Sequence, residues 1–158
     1  MKYRVFALDV DGVLTDGGIY LDAEGKELLR FHVLDGLGIR RWIEAGLTCV
    51  WISARSSPVV VARAQMLGVD HLLLGVDDKA RALRNFLSEH GYSWSDVVYL
   101  GDDIVDLEPV RLSGLGVAVQ TAVDELKEVA DLVTLAPGGG GAVREVVERI
   151  LPKPQGRR

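Results

Sequence analysis

The chain lacks most of the features that place a protein in a class at sight. It has one cysteine in 158 residues, so no disulfide can close within it, and the cross-linked scaffolds of small secreted domains are excluded. That residue, Cys49, sits in the apolar run LTCVWI, where a thiol reads as a small packed hydrophobe. No run reaches the roughly 20 apolar residues of a membrane-spanning helix. The opening MKYRVFALDVDG lacks the cleavage pattern of a secretory leader, so the expectation is a cytoplasmic protein with no membrane partner. Basic charge is not in excess either. Eighteen Lys and Arg stand against 23 Asp and Glu, a net charge of −5, which argues against a nucleic-acid partner. No GxxxxGK[ST] phosphate loop occurs, and GLGIRR lacks the third glycine of a dinucleotide fingerprint. His32 and His71 have no second His or Cys at metal spacing and read as packed or surface residues.

What is present is a rhythm. Apolar runs suited to strands recur at residues 3–10, 47–53, 71–75, 97–102, 116–119 and 131–134. Between most of them lie amphipathic stretches at 35–46, 56–68, 77–91 and 103–114, each closing at glycine, with Pro109 an awkward residue in the last. Alternation of this kind predicts an α/β fold, a Rossmann-like parallel sheet with helices on both faces. One stretch breaks the rhythm. GGIYLDAEGKELLRFHV has two strand-like arms around DAEGKE and reads as an inserted β-hairpin after the first strand. The length suits one domain, assigned to residues 1–152, with KPQGRR at 153–158 expected to be a disordered tail.

The strand ends carry the chemistry. FALDVDGVLTDG passes from a buried run straight into Asp9 and Asp11. A lone aspartate there is commonly a turn or cap. Two close carboxylates repel and lose water on burial, so something positive is expected between them. The second strand ends in Ser53 followed by Arg55, and the fourth in Asp102 and Asp103, with Asp106 a turn later. Lys79 opens the helix between the third and fourth strands; alone it would read as a solvated surface residue. In a parallel sheet these positions share one edge, the edge where open α/β sheets bind ligands. Carboxylates with a hydroxyl and two cations suit Mg²⁺ and a phosphate.

DVDGVLTD, the Ser53 strand end, Lys79 and GDDIVD together resemble the four motifs of the haloacid dehalogenase superfamily of phosphatases. FHVLDGLGI, ISAR, LGVDHLLLG and GGGGAVREV are similar to signatures of its capless sugar-acid branch, over about residues 3–151. The resemblance implies Mg²⁺-dependent hydrolysis of a phosphorylated keto-sugar acid through an aspartyl-phosphate, without a cap domain. The leading substrate is 3-deoxy-D-manno-octulosonate 8-phosphate, a lipopolysaccharide precursor, and an acylneuraminate 9-phosphate is the alternative. It further implies Asp9 as nucleophile, Asp11 as general acid then base, and Ser53 and Lys79 as phosphate ligands. Asp9, Asp102 and the backbone carbonyl of Asp11 would hold the metal, with Asp103 or Asp106 reaching it through water or orienting Lys79; Asp103 could equally cap a helix. Arg55, two residues after Ser53, can reach outward to a sugar carboxylate. Three positions depart from the branch: Ala54 in place of glycine, and Leu34 and Gly140 in place of arginine. They leave the hydrolytic set intact and put the substrate in doubt.

Two other readings compete. A receiver-like module also combines strand-end aspartates with a hydroxyl and a lysine, but the order Asp, Ser, Lys, Asp disfavours it. A non-catalytic oligomerisation module would not need all of Asp9, Asp11, Ser53, Lys79 and Asp102. With no segment long enough for a cap, a homotetramer is expected to supply the lid through its hairpins. In the resembled branch, a glycine-rich tail approaches a neighbouring subunit's site. APGGGGAV is expected to be a mobile flap, since four glycines are costly to order.

Overall fold

Runs of apolar residues uninterrupted by charge need cover on both faces, and the computed structural model provides it. It describes residues 2–152; the tail expected at 153–158 lies outside the described residues. The strands are β1 (Val5–Asp9), a hairpin of β2 (Tyr20–Leu21) and β3 (Glu27–Leu28), β4 (Thr48–Ser53), β5 (His71–Leu74), β6 (Val97–Gly101), β7 (Leu115–Ala118) and β8 (Leu132–Val133). Six of them form one sheet in the order β5-β4-β1-β6-β7-β8, every neighbouring pair parallel. β1 and β6 are buried along their whole length. The hairpin stands apart as a two-stranded antiparallel ribbon, and no cap domain is present among the described residues.

The helices are α1 (Val33–Glu44), α2 (Pro58–Leu67), α3 (Lys79–Glu89), α4 (Leu107–Leu112), α5 (Asp124–Val129) and α6 (Ala142–Ile150). α1 packs on α2 and α6, whereas α3 packs on α4 and α4 on α5, which gives the two helical layers. Trp42, Trp51, Tyr99, Phe6 and Leu8 fill the core completely out of water. Pro58 opens α2 and Gly68, at φ 75°, closes it, the positions where a missing N–H and a missing Cβ cost least. The stretch 103–114 is not one helix. It divides into a 3-10 turn, Ile104–Asp106, and α4, whose first turn holds Pro109 where no N–H is required. His32 is a helix cap: its Nδ1 accepts the Leu34 N–H at 3.3 Å. His71 packs edge-on to Phe86. No helix among the described residues is long and apolar enough to cross a membrane.

The glycine run is ordered by contact. The Gly139 N–H donates to the Val13 carbonyl at 2.9 Å, and a Cβ added at Gly138 would overlap the Gly12 carbonyl. Asp35 of α1 accepts N–H groups from Gly141 at 3.1 Å and Arg144 at 3.0 Å, tying the start of α6 to α1. Glycine serves here for close approach of two backbones. The hairpin, by contrast, leaves Ile19 85 % exposed, with Leu21 and Leu28 more than half exposed.

Candidate active site

β1, β4 and β6 are neighbours at the sheet centre and run parallel, so their carboxyl ends meet on one edge. A cavity of about 240 Å³ opens there, lined by Asp9, Asp11, Ser53, Arg55, Lys79 and Asp102. Six sequence-nominated residues thus reach one space, although the chain separates the first from the last by most of its length, while Asp106 stands behind them. Ala54 also lines the cavity, whereas Leu34 and Gly140 do not.

Lys79 is the organising charge. Its ammonium lies 2.8 Å from Asp9 Oδ1 and 2.8 Å from Asp106 Oδ1, with all three side chains buried. Burial alone would lower its pKa, but Asp9 and Asp106 more than offset that and raise it, so Lys79 stays charged. Asp106 is fully occupied. Its Oδ1 also accepts the Tyr99 hydroxyl at 2.7 Å, and Oδ2 accepts the N–H groups of Asp102 at 3.1 Å and Asp103 at 3.3 Å. Asp103 also lines the cavity, but it caps the following turn, its Oδ1 accepting the Ile104 N–H at 2.7 Å. Of the two acids the sequence left open, Asp106 holds the lysine and Asp103 is the cap.

Asp9, Asp102 and Asp106 each bring a carboxylate oxygen within 4.8 Å of the others. With Asp106 satisfied, Asp9 and Asp102 are the acids with oxygen to offer. Burial raises both pKa values, that of Asp9 well above the usual range and that of Asp102 to about 6, with the charge of Asp106 adding to each. One lysine does not balance three clustered carboxylates, so the donor set fits a hard divalent cation. A Cβ at residue 12 would overlap Asp102 Oδ2; Gly12, at φ 83°, leaves that oxygen its place beside the turn.

Asp11 points the other way, to Arg55. The guanidinium donates through Nε at 3.1 Å and Nη2 at 2.9 Å to its carboxylate, and through Nη1 at 2.6 Å to Glu27 on the hairpin. These bonds raise the Arg55 pKa further. Ser53 Oγ accepts the Arg55 N–H at 3.1 Å, which orients the hydroxyl at the cavity floor. Glu27, Ser57 and Tyr99 were not anticipated. Only Tyr99 left a signal, a phenol inside the apolar strand VVYLG, where a buried hydroxyl demands a partner.

Comparison with known proteins agrees with this geometry. The haloacid dehalogenase-like hydrolase family matches residues 74–145. The 3-deoxy-D-manno-octulosonate 8-phosphate phosphatase of Escherichia coli is 40 % identical over 148 residues, 94 % of this chain and 79 % of that relative. The enzyme of the same name from Moraxella catarrhalis, solved with magnesium ion, phosphate ion and KDO, superposes with a TM-score of 0.92 at 42 % identity, covering 94 % of this chain and 86 % of the other. The cobalt-bound form of the deoxy-D-mannose-octulosonate 8-phosphate phosphatase from Haemophilus influenzae gives 0.90 at 36 % identity, covering 94 % and 87 %.

Proposed function

The chain belongs to the haloacid dehalogenase-like hydrolases, and from that premise we propose that it hydrolyses 3-deoxy-D-manno-octulosonate 8-phosphate to the sugar acid and phosphate, with Mg²⁺ as cofactor. The likeness to the Moraxella enzyme with its bound magnesium, phosphate and KDO carries this reading. Asp9 is the nucleophile: its carboxylate attacks phosphorus and forms an aspartyl-phosphate as the sugar oxygen leaves. Asp11 gives that oxygen its proton, then takes one from the water that opens the intermediate. Lys79 and Ser53 hold phosphoryl oxygens where negative charge gathers. Asp9, Asp102 and the Asp11 carbonyl hold the cation, which when bound screens the nucleophile from the anionic substrate. Arg55 grips the substrate carboxylate, for which a planar two-pronged donor is suited.

Phosphate release from 3-deoxy-D-manno-octulosonate 8-phosphate and from an acylneuraminate 9-phosphate, each with Mg²⁺ and with EDTA, tests the reading. Metal-dependent release that favours the first supports it; preference for the second, or release in EDTA, overturns it. Asp11→Asn is expected to lower turnover of the sugar phosphate by about 10²–10⁴-fold. p-Nitrophenyl phosphate, whose leaving group hardly needs a proton, should lose far less. Equal losses on both substrates would remove the acid role.

The protein acts in the cytoplasm as a homotetramer in this reading. Ile19, Leu21 and Leu28 on the hairpin and Val33 and Leu37 on α1 expose apolar surface that a neighbouring subunit would cover. Light scattering on the intact protein checks this: a tetramer is expected, and a fully active monomer would sink the shared lid.

A further inference from the structure

Two carboxylates hold the Arg55 guanidinium, and they are anchored unequally. Asp11 accepts its Nε–Nη2 edge and has no other side-chain hydrogen bond among the described residues. Glu27 accepts Nη1 through Oε1 at 2.6 Å, while its Oε2 accepts the hydroxyl of Ser57 at 2.9 Å. Ser57 is buried and stands at the N-cap of α2. A serine there ordinarily accepts an N–H of its own helix. Ser57 makes no such bond, and its hydroxyl is committed to Glu27 instead. Glu27 is therefore tied to the framework by two elements, and Asp11 is tied to Arg55 alone.

We propose that Glu27 is a positioning residue for sugar-acid recognition, fixing Arg55 over the cavity mouth so that the substrate carboxylate can take the edge now held by Asp11. The inference rests on the reading of Arg55 as the carboxylate-binding group. The exchange keeps the guanidinium paired, because one carboxylate replaces another on the same two N–H groups. It also releases the Asp11 carboxylate from Arg55. A phosphate ester without a carboxylate has nothing to exchange and leaves Asp11 engaged. The hairpin, which stands outside the main sheet, thereby contributes to selectivity through a single side chain.

The test is steady-state kinetics of the intact Mg²⁺-supplied enzyme on 3-deoxy-D-manno-octulosonate 8-phosphate and on p-nitrophenyl phosphate. Glu27→Gln loses the charge and cannot accept from both Ser57 and Arg55. Its KM for the sugar-acid phosphate is expected to rise about tenfold more than its KM for p-nitrophenyl phosphate, the scale of one charge-assisted hydrogen bond. The effect should fall on KM more than on kcat. Ser57→Ala, which loosens Glu27 without removing its charge, should move the same ratio more weakly, and it carries the comparison if Glu27→Gln does not fold. Arg55→Met separates the layers of the argument. If it discriminates between the substrates and neither Glu27→Gln nor Ser57→Ala does, the role of Glu27 is overturned and that of Arg55 stands. If Arg55→Met fails to discriminate, the carboxylate reading of Arg55 falls, and this proposal with it.

Discussion

Asp9→Asn is expected to abolish phosphate release from every monoester, a loss of about 10⁴-fold or more, the scale on which enzymes lose turnover when a nucleophile is removed. An amide matches the carboxylate in shape but is a very poor nucleophile toward phosphorus. The loss should be chemical and not structural. Burial and the charge of Asp106 both raise the Asp9 pKa, so the folded environment disfavours the charged form of this carboxyl. Removing the charge relieves that cost while depriving Lys79 of one of two anionic partners. A cooperative thermal melt in the absence of metal, beside undetectable turnover, is the expected pair of results. Turnover within tenfold of the wild type would move the nucleophile elsewhere.

Asp106→Asn is expected to damage both stability and rate. Asp106 is wholly buried and receives Lys79, the Tyr99 hydroxyl and two backbone N–H groups. An amide can accept on one side only; its NH₂ must then face either the ammonium and hydroxyl or the two N–H groups. Breaking a buried charge pair from one side costs about 3–5 kcal/mol. Lys79, no longer held from Asp106, should cost about 10²-fold in turnover as a misplaced charge donor. Asp103→Asn provides the contrast, since asparagine caps about as well as aspartate and the residue is exposed. It should stay within about 0.5 kcal/mol of the wild type. Urea unfolding and turnover measured on both variants check the ranking. The reverse order would mean that Asp103, not Asp106, supports Lys79.

That contrast marks where reading the sequence succeeds and where it stops. Strands covered on both faces must be apolar throughout, so VFALD, TCVWIS and VVYLG stood out as strands, and parallel alternation placed their ends together. Asp9, Ser53 and Asp102 followed from that geometry as neighbours. Asp103 and Asp106 did not separate, because their facing is decided by a 3-10 turn that begins one residue after the cap, and sequence spacing does not reveal that turn. Glu27 was silent for another reason. In a short hairpin of exposed residues it looks like any surface glutamate, and its meaning comes from Ser57 and Arg55, which arrive from a different element. The glycine run suggested freedom through its low side-chain content, and the structure adds what spacing does not show, that Gly138 uses that lack to approach Gly12.

The central place of β1 also bears on how the protein comes to exist. β1 is synthesised before both of its neighbours, β4 on one side and β6 on the other, the latter at residues 97–101. Until that later segment arrives, one edge of β1 has no partner and Asp9 has no Asp102 or Asp106 beside it. Parallel pairings between distant segments are slow to form, because loop closure must precede the contacts that reward it. Pairing of β6 with β1 and assembly of the acid cluster therefore coincide in time, and a nascent fragment ending before β6 carries neither Asp102 nor Asp106.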